Sequence, residues 1–334
     1  MLLKESSLEL LRGQKNLLAF SAGVDSSALF FLLRDAAIDF DIAIVDYSIR
    51  EQSIQELAYA QELSHIYKLS CFIHTAGEIT SNFEANAREI RYTFFDTLIQ
   101  KYNYDNLITA HHLGDRFEWM LMQFCRGAGC VELAGMKEVE IRDNYTLVRP
   151  LLHIDKAELL EYLSLNQIQY FEDATNLNED IKRNEFRHKH TQPLLKRFLS
   201  GIKKSFTYID EDRDDLIKDV TVEKIGELAY FKSTQNRRTD IFTIDKYLKK
   251  NSYMPSSSER ELLKNKTVLS LGRRYLVNQQ HGFVFILPCV GEELTMPKEF
   301  KEECRVLKIE PKLRSFLYKN PDAFKQVKEL LASI

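Results

Sequence analysis

A run of small and hydroxyl-bearing residues joins a predicted strand to a predicted helix near the start of the chain. Leu17 to Phe20 is a short apolar run, and helix-compatible apolar spacing begins at Ser26. Backbone N–H groups and the positive end of a helix are free at such a junction to hold an anion. We therefore predict a phosphate-binding loop, with an ordinary strand–turn–helix and a serine cap as the alternative. The loop residues are Ser21, Ala22, Gly23, Val24, Asp25, Ser26 and Ser27.

Asp25 is the unusual member of this loop. Its carboxylate would repel a phosphate unless a divalent cation lay between them, and Mg²⁺ is held in this way by carboxylates together with substrate phosphates. The G-x-x-x-x-G-K-[ST] nucleotide loop occurs nowhere in the sequence. We therefore expect a different kind of phosphate loop, with a metal ion at Asp25.

A second polar cluster follows the predicted strand at 107–110. If the next helix begins by His111, then His111, Asp115 and Glu118 share one of its faces through i, i+4 and i, i+3 spacing. Ligands of open α/β sheets bind at the carboxyl ends of the strands. The cluster therefore predicts a ligand site, and a solvated helix start with capping groups is the alternative.

Basic residues gather between positions 182 and 204. Eight lysines and arginines stand there against a single acid, Glu185, in a chain whose net charge is −3. Such clustering predicts contact with a phosphate backbone and an affinity that falls with salt. A solvated helix face is the alternative. The basic residues are Lys182, Arg183, Arg187, Lys189, Lys196, Arg197, Lys203 and Lys204.

The elements that must position these residues alternate along the first half of the chain. Continuous apolar runs between helical stretches indicate strands that are covered on both faces. We predict an α/β fold in which a parallel twisted sheet has helices on both faces. Strands are expected at 17–20, 42–45, 71–73, 107–110 and 146–149, and helices at 26–33, 51–69, 83–102, 113–124, 156–165 and from 184.

The sequence changes character beyond residue 205, and we place a domain boundary near 200. A charge-dense helix surface is expected at 210–215. A first domain at 1–200 is therefore predicted to precede a smaller α+β domain at 201–334. Short antiparallel strands are expected at 267–270, 273–279 and 282–287, with a turn at His281-Gly282.

Composition excludes several classes of protein. With 44% hydrophobic and 28% charged residues, the 334-residue chain is neither disordered nor fibrous. Its net charge excludes a uniformly basic nucleic-acid coat protein. No apolar run reaches the roughly 18 residues of a membrane span, and the N-terminus lacks a secretion signal. Five cysteines without a C-x-x-C pair predict reduced thiols, and we expect a cytoplasmic location.

Motifs over residues 15–190 together resemble the bacterial tRNA(Ile)-lysidine synthetases. The first loop is similar to the S-G-G-x-D-S loop of the ATP pyrophosphatases, with Ala22 in place of the first glycine. Arg116 and Trp119 replace a glutamine and a threonine of the family pattern. The further matches are A-R-E-I-R-Y at 87–92, H-H-L-G-D-R-F-E at 111–118, R-G-A-G at 126–129, G-M at 135–136, R-P-L-L at 149–152, D-A-T-N at 173–176 and R-N-E-F-R at 183–187.

The resemblance implies a reaction, a fold and partners. ATP would adenylate the C2 oxygen of the wobble cytidine in a CAU-anticodon isoleucine tRNA and release pyrophosphate. The ε-amine of free L-lysine would then displace AMP. ATP and Mg²⁺ are the implied cofactors, the implied fold is of the adenine nucleotide alpha hydrolase kind, and a homodimer is compatible with the family. Holding the reactants together and excluding water would supply much of the rate.

The resemblance also implies roles for single residues. Within the loop, Ser21, Gly23, Ser26 and Ser27 would cradle the β- and γ-phosphates and Asp25 would meet Mg²⁺. Asp115 and Glu118 would position the lysine amine or a metal ion. Arg88 and Arg91 would stabilise the transferring phosphates or the cytidine; a helix-surface ion pair with Glu84 or Glu89 is the alternative. The predicted substrate-binding residues are Asn184 and Arg187 from the matched motif, together with His111 from the second polar cluster and Lys196 and Arg197 from the basic stretch.

Two other functions stay open at this stage. A tRNA thiolase with the same loop would use paired cysteines, whereas Cys125 and Cys130 are spaced as C-x4-C among apolar neighbours that favour buried structural thiols. A nucleotide- and tRNA-binding module without catalysis would account for the departures at Ala22, Arg116 and Trp119.

Overall fold

The computed structural model describes residues 2–47, 52–77, 79, 81–172, 182–290 and 294–332. The D-A-T-N motif at 173–176 lies outside these residues. The chain divides into two compact units, Met1–Asp210 and Glu211–Ile334. The division falls later than the boundary predicted near 200, because one helix, Gln192–Leu216, continues through the change in composition. In the described part of the chain, no helix is both long and apolar enough to cross a membrane.

The first unit is built on a six-stranded sheet with the order β3-β2-β1-β4-β6-β5. Neighbouring strands are parallel except β5 and β6, so the predicted parallel sheet is confirmed with one antiparallel edge strand added. The strands are β1 (Asn16–Ala19), β2 (Asp41–Asp46), β3 (Cys71–Thr75), β4 (Asn106–Ile108), β5 (Val139–Ile141) and β6 (Thr146–Val148).

Helices connect these strands and cover the sheet. They are α1 (Glu5–Leu11), α2 (Val24–Asp35), α3 (Gln52–Tyr67), α4 (Phe83–Tyr102), α5 (Leu113–Phe124), α6 (Cys130–Ala134), α7 (Lys156–Leu165), α8 (Lys182–Phe186) and α9 (Gln192–Leu216). A π-helical turn, Arg187–Thr191, joins α8 to α9. The bounds of α4, α5 and α7 are those predicted from the sequence.

Adjacent leucines of β1 show why this sheet is covered on both faces. Leu17 is fully buried in a cluster with Phe95 of α4, and Leu18 is fully buried in a different cluster with Leu29 of α2. Successive strand side chains point to opposite faces, so one strand can serve two hydrophobic layers only if both consist of helices. The central strands therefore end in a crevice between helices, where α/β sheets bind ligands.

The second unit contains an antiparallel five-stranded sheet with the order β7-β8-β11-β10-β9. His281 and Gly282 both have positive φ, 50° and 76°, in the tight turn between β10 and β11, as predicted. The strands are β7 (Glu223–Ile225), β8 (Leu228–Lys232), β9 (Val268–Leu271), β10 (Tyr275–Gln280) and β11 (Phe283–Pro288), and the helices are α10 (Arg237–Lys250), α11 (Ser257–Asn265), α12 (Lys298–Val306), α13 (Pro311–Lys319) and α14 (Pro321–Ala332).

Candidate active site at the carboxyl ends of the central strands

A cavity of about 250 Å³ opens where β1, β2 and β4 end. It is bordered by three segments that the sequence analysis singled out: the β1–α2 loop, α4, and the β4–α5 junction. The polar residues that line it are Ser21, Asp25, Ser26, Tyr47, Arg88, Arg91, Tyr92, Thr109, His111 and Asp115. The structure thus brings together side chains that are far apart in the sequence.

The β1–α2 loop is closed by its own hydroxyl groups. Ser26 Oγ accepts a hydrogen bond from the Ser21 backbone N–H at 3.2 Å, lies 3.1 Å from Ser21 Oγ, and donates to the Gly23 carbonyl at 3.2 Å. Helix α2 starts directly afterwards, and its N-cap, Gly23, has no side chain to satisfy the first N–H groups. These groups and the helix dipole make the loop suitable for an anion.

Ala22 has φ of 55° and is completely buried. Its carbonyl accepts a hydrogen bond from the Phe171 backbone N–H at 2.9 Å, and Gly23 forms a parallel β-bridge with Phe171. The left-handed conformation costs a residue with a Cβ roughly 1–2 kcal/mol. Ala22 therefore stands at a position of positive φ, which the glycine of the family pattern would adopt without that cost. Gly23, with φ of −77°, does not need to be glycine for backbone reasons.

Not every loop residue faces the cavity. Val24 is buried in the core, and Ser27 is fully buried with its backbone N–H donated to the Gly23 carbonyl at 2.9 Å. Neither residue lines the cavity. Asp25 does line it, and its Oδ1 is buried without a hydrogen-bond partner among the described residues. Asp25 Oδ2 lies 3.8 Å from His112 Nε2.

Two arginines on α4 reach the cavity. Arg88 and Arg91 both line it, and the Arg88 guanidinium lies 4.7 Å from the centroid of the Tyr92 ring. Within the described residues, neither forms an ion pair with Glu84 or Glu89, the alternative considered from the sequence. Glu84 instead accepts from Arg183 Nη1 at 3.1 Å. The geometry therefore directs two positive side chains toward the space beside the loop.

The β4–α5 junction differs from the prediction. The helix begins at Leu113, with His112 as its N-cap, so His111 precedes the helix and does not share a helical face with Asp115 and Glu118. His112 Nδ1 accepts from the Gly114 N–H at 2.9 Å, and the His112 N–H donates to Asp115 Oδ2 at 3.1 Å. This capping box fixes Asp115 against the helix end.

His111 and Asp115 reach the cavity in different charge states. Burial lowers the pKa of His111 to about 4, so the ring is neutral at pH 7, with Nδ1 2.9 Å from Thr109 Oγ1. Burial by itself would raise the pKa of Asp115. The neighbouring His112, His111 and Arg183 outweigh it, and the pKa of this carboxyl lies well below its usual range. The cavity therefore presents a permanent carboxylate beside a neutral imidazole.

Glu118 lies behind the cavity and does not line it. Its side chain is 1% exposed; one carboxylate oxygen accepts from Arg183 Nε and the other from Arg187 Nε at 2.9 Å. Both guanidinium groups also approach Asp115 Oδ1, at 3.4 and 3.6 Å. Glu118 thus anchors α8 and the π-helical turn to α5. Arg183, which the sequence places only in the basic stretch, is part of this cluster, and its spacing of four from Arg187 is the sequence signal for it.

The remaining predicted site residues lie elsewhere. Asn184 is buried in α8, and Lys196 and Arg197 are exposed on α9; none of the three lines the cavity. A substrate contact predicted for the exposed Lys196 and Arg197 therefore requires a molecule larger than the cavity can hold, and the buried Asn184 offers no such surface.

The cysteines do not form a cluster site. All five are free, and the prediction that Cys125 and Cys130 are buried is wrong: Cys125 is exposed and Cys130 partly exposed. Cys125 is the C-cap residue of α5, where the chain leaves the packed surface of that helix. Within the described ranges, no group of three or more His, Cys, Asp or Glu side chains is arranged to hold a metal ion.

A PP-loop domain model matches residues 3–194. The tRNA(Ile)-lysidine synthase of Helicobacter pylori strain 26695 is 39% identical over 315 residues, which cover 94% of this chain and 92% of that protein. The synthase of Campylobacter jejuni strain RM1221 is 41% identical over 95% of this chain and 97% of that protein.

Among solved structures, the U34-tRNA thiolase NcsA from Methanococcus maripaludis, determined with its [4Fe-4S] cluster, has a similar fold. The TM-score is 0.53 with 19% sequence identity, over 65% of this chain and 76% of that one. At this identity the likeness concerns the fold, and it agrees with the parallel sheet described above.

Proposed function

This chain belongs to the tRNA(Ile)-lysidine synthase family, and from that premise we propose that it joins L-lysine to the wobble cytidine of an isoleucine tRNA with a CAU anticodon. The cytidine C2 oxygen attacks the α-phosphorus of ATP, and pyrophosphate leaves. The lysine ε-ammonium first loses a proton to solvent. The resulting ε-amine attacks C2, the C2–O bond breaks, AMP leaves, and the nitrogen bound to C2 releases a second proton to solvent. Adenylation makes the C2 oxygen part of a good leaving group.

One observation carries this proposal: an uncapped helix N-terminus with a hydroxyl-lined loop shares one cavity with an ionised carboxylate, Asp115. The loop is suited to the phosphates of ATP, and the carboxylate is suited to an ammonium group. A nucleotide and a lysine brought into one cavity are held for reaction, and such positioning contributes strongly to rate.

At the phosphate end, Ser21, Gly23 and Ser26 hold the β- and γ-phosphates through hydroxyl and backbone N–H groups. Asp25 fits Mg²⁺, because its Oδ1 is buried without a partner among the described residues and one carboxylate beside phosphates is a common Mg²⁺ environment. When bound there, Mg²⁺ would offset the negative charge of the phosphates. Arg88 and Arg91 add fixed positive charge on the α4 side, which stabilises the departing pyrophosphate.

At the amine end, Asp115 attracts the lysine ammonium and His111 orients it by hydrogen bonding. A proton acceptor works best when its pKa is near the working pH, and a pKa of about 4 makes His111 a weak base. We therefore assign His111 to orientation and not to proton removal. Glu118 acts indirectly, because it holds Arg183 and Arg187 against Asp115.

The exposed Lys196 and Arg197 contact the tRNA backbone in this proposal, whereas the buried Asn184 supports α8. The smaller unit at 211–334 is assigned to tRNA binding, and a homodimer working in the cytoplasm stays a prediction. Light scattering of the purified protein measures the oligomeric state.

The decisive experiment incubates the protein with ATP, lysine and unmodified isoleucine tRNA, and measures AMP release together with the mass of the wobble nucleoside. We expect a mass increase that requires all three reactants. Asp25→Ala should reduce AMP release at least a hundredfold, whereas Asp39→Ala, an exposed aspartate beyond the other end of α2, should retain activity. An unmodified wobble cytidine after reaction with the wild-type protein would refute the assignment.

A further inference from the structure

Helix α9 exposes aromatic and positive side chains side by side. Gly201, Lys204 and Tyr208 follow i, i+3, i+7 spacing and so share one face of the part of α9 that follows Phe198, and Arg197 lies just before that part. Phe198 stands next to Arg197 at a kink, with φ of −130° and ψ of 25°. We call these five residues the α9 stripe.

The aromatic rings of the stripe are exposed although they are large. Phe198 and Tyr208 are each 52% exposed, whereas Leu195 and Phe206 of the same helix are buried against Phe117 of α5. The core therefore uses a different face of α9. An exposed phenylalanine gains little from burial in this state, so its ring is available to a partner.

Each exposed ring is paired with a cation. The Arg197 guanidinium lies 5.2 Å from the Phe198 ring centroid, and Lys204 Nζ lies 5.6 Å from the Tyr208 centroid. Between them, a Cβ added to Gly201 would meet no atom within 4 Å, so the surface there is open. The stripe thus repeats one unit, a flat ring beside a positive group, at two places on the helix.

The positive charge of the stripe is not neutralised. Residues 186–209 contain no aspartate or glutamate. Other cations nearby have partners: Lys203 pairs with Glu158 at 2.6 Å and Lys189 with Glu185 at 3.4 Å. Arg197 and Lys204 form no ion pair with any carboxylate that the structure describes. A partner for this surface must therefore be negative and must offer flat faces for the rings.

We propose that the α9 stripe binds unpaired nucleotides of RNA, with bases stacked on Phe198 and Tyr208 and phosphates beside Arg197 and Lys204. Aromatic stacking with a positive groove is the usual way to hold single-stranded nucleic acid. The two rings are ten residues apart, or about 15 Å along a helix, much more than the ~3.4 Å between stacked bases. They therefore hold two separate nucleotides. This inference rests on the proposed function, since tRNA supplies the unpaired residues.

The test measures the affinity of the full-length protein for a short fluorescent single-stranded RNA and for a blunt RNA duplex of equal length. Phe198→Ala and Tyr208→Ala should each weaken single-strand binding about tenfold and change the slope of affinity against salt little. Arg197→Ala and Lys204→Ala should each flatten that slope by about 0.7. Phe198→Tyr should restore binding and Phe198→Leu should not, because leucine keeps apolar area without a ring.

Phe124→Ala is the matched control, since Phe124 is 66% exposed in the same unit but outside the stripe. Wild-type affinity in Phe198→Ala and Tyr208→Ala, or an equal loss for duplex RNA, would overturn the inference. These readings need no turnover. A failure to form lysidine would therefore count against the proposed function, and unchanged oligonucleotide binding against the stripe.

Discussion

At the scale of single residues, Ala22 combines an unfavourable backbone conformation with favourable burial of its side chain. Its positive φ costs roughly 1–2 kcal/mol. Burial of its methyl group stabilises the folded protein by about 0.8 kcal/mol. Relative to glycine, alanine also lowers the conformational entropy of the unfolded chain, which favours folding. Alanine is therefore tolerated at a position where the family pattern has glycine, and the loop keeps its shape.

We expect Ala22→Gly to change the free energy of unfolding by less than about 1 kcal/mol, because relief of the left-handed conformation offsets the lost methyl and the added chain entropy. Ala28→Gly is the matched control: Ala28 is equally buried but lies inside α2, where glycine should cost about 2 kcal/mol. Urea unfolding measures both. Equal losses in the two variants would show that the loop backbone is unstrained.

His111 leads to a prediction about how the free energy of unfolding depends on pH. Its pKa is about 4 in the folded protein and about 6.5 in the unfolded chain. Between pH 6.5 and 4 the unfolded histidine takes up a proton that the folded one does not, so stability falls as pH falls, by up to about 1.4 kcal/mol per unit. Asp115 adds a further loss as the pH falls below about 4, where the unfolded carboxyl takes up a proton that the folded one, with its lowered pKa, does not.

His111→Asn should therefore flatten the curve of unfolding free energy against pH between 6.5 and 4. His65→Asn, at an exposed position of α3, should leave the curve as it is in the wild type. Urea unfolding in a series of buffers provides the measurement. A wild-type slope in the His111 variant would mean that the imidazole is charged in the folded protein.

The part of the candidate site that lies next to strand ends could be predicted from the local sequence pattern. Ser21, Asp25 and His111 stand next to strand ends, so their place at the sheet edge followed from the alternation of elements. The role of Glu118 could not be predicted, because periodicity shows which face of a helix a residue occupies but not which partner covers that face. Arg183 and Arg187 reach Glu118 from a distant segment, and no local rule contains that contact.

At the scale of elements, Arg116 connects α5 to α6 and α9. Its guanidinium donates to Asp210 at 2.9 and 2.6 Å and to the Ala134 carbonyl at 3.0 and 2.9 Å, and lies 4.2 Å from the centroid of Phe206. Arg116 is 5% exposed, and the Asp210 carboxylate balances its buried positive charge. The glutamine of the family pattern could not form this bidentate pair. The departure is therefore matched by a partner on α9.

We expect Asp210→Ala to destabilise the protein by about 2 kcal/mol, because it leaves a buried guanidinium unpaired. In an Arg116→Gln background the same change should cost clearly less, because the Arg116–Asp210 pair is already absent there. A double-mutant cycle measured by urea unfolding gives the coupling. The exposed Lys189–Glu185 pair is the control, with an expected coupling of roughly 0.3–0.5 kcal/mol. Additive effects of Arg116 and Asp210 would contradict this role.

Elements with a long periodic pattern were predicted well, and α4, α5 and α7 have the bounds expected. The three-residue strand β5 was missed because its pattern is too short to be distinguished from a loop, and its Ile141 is 82% exposed. The π-helical turn at Arg187–Thr191 was likewise read as continuous helix. A π-helix differs from an α-helix in the number of residues per turn, and over five residues this difference does not change the spacing of apolar residues enough to be detected.

At the scale of the whole molecule, the net charge does not reveal the surface that we propose to bind RNA. The chain carries −3 overall, yet residues 186–209 have no acid. Binding responds to the local field, which falls off over about 8 Å at physiological ionic strength. A net negative chain is therefore compatible with the proposed binding of RNA by the α9 stripe.

The family assignment also yields a prediction about sulfur. Replacing both Cys125 and Cys130 by serine should leave lysidine formation within about twofold of wild type, because neither thiol lines the cavity. Mass spectrometry of the wobble nucleoside and AMP release measure the outcome. Loss of activity in the folded double variant, with a circular dichroism spectrum like that of the wild type, would revive the thiolase alternative.

The support that Phe171 gives to the β1–α2 loop has a consequence for synthesis on the ribosome. Ala22 and Gly23 leave the ribosome early, but the backbone that holds them is translated only much later in the first unit. A nascent chain that ends before Phe171 carries every residue of the β1–α2 loop and lacks the segment that fixes its shape. Nucleotide binding by the growing polypeptide should therefore begin only after that segment has emerged.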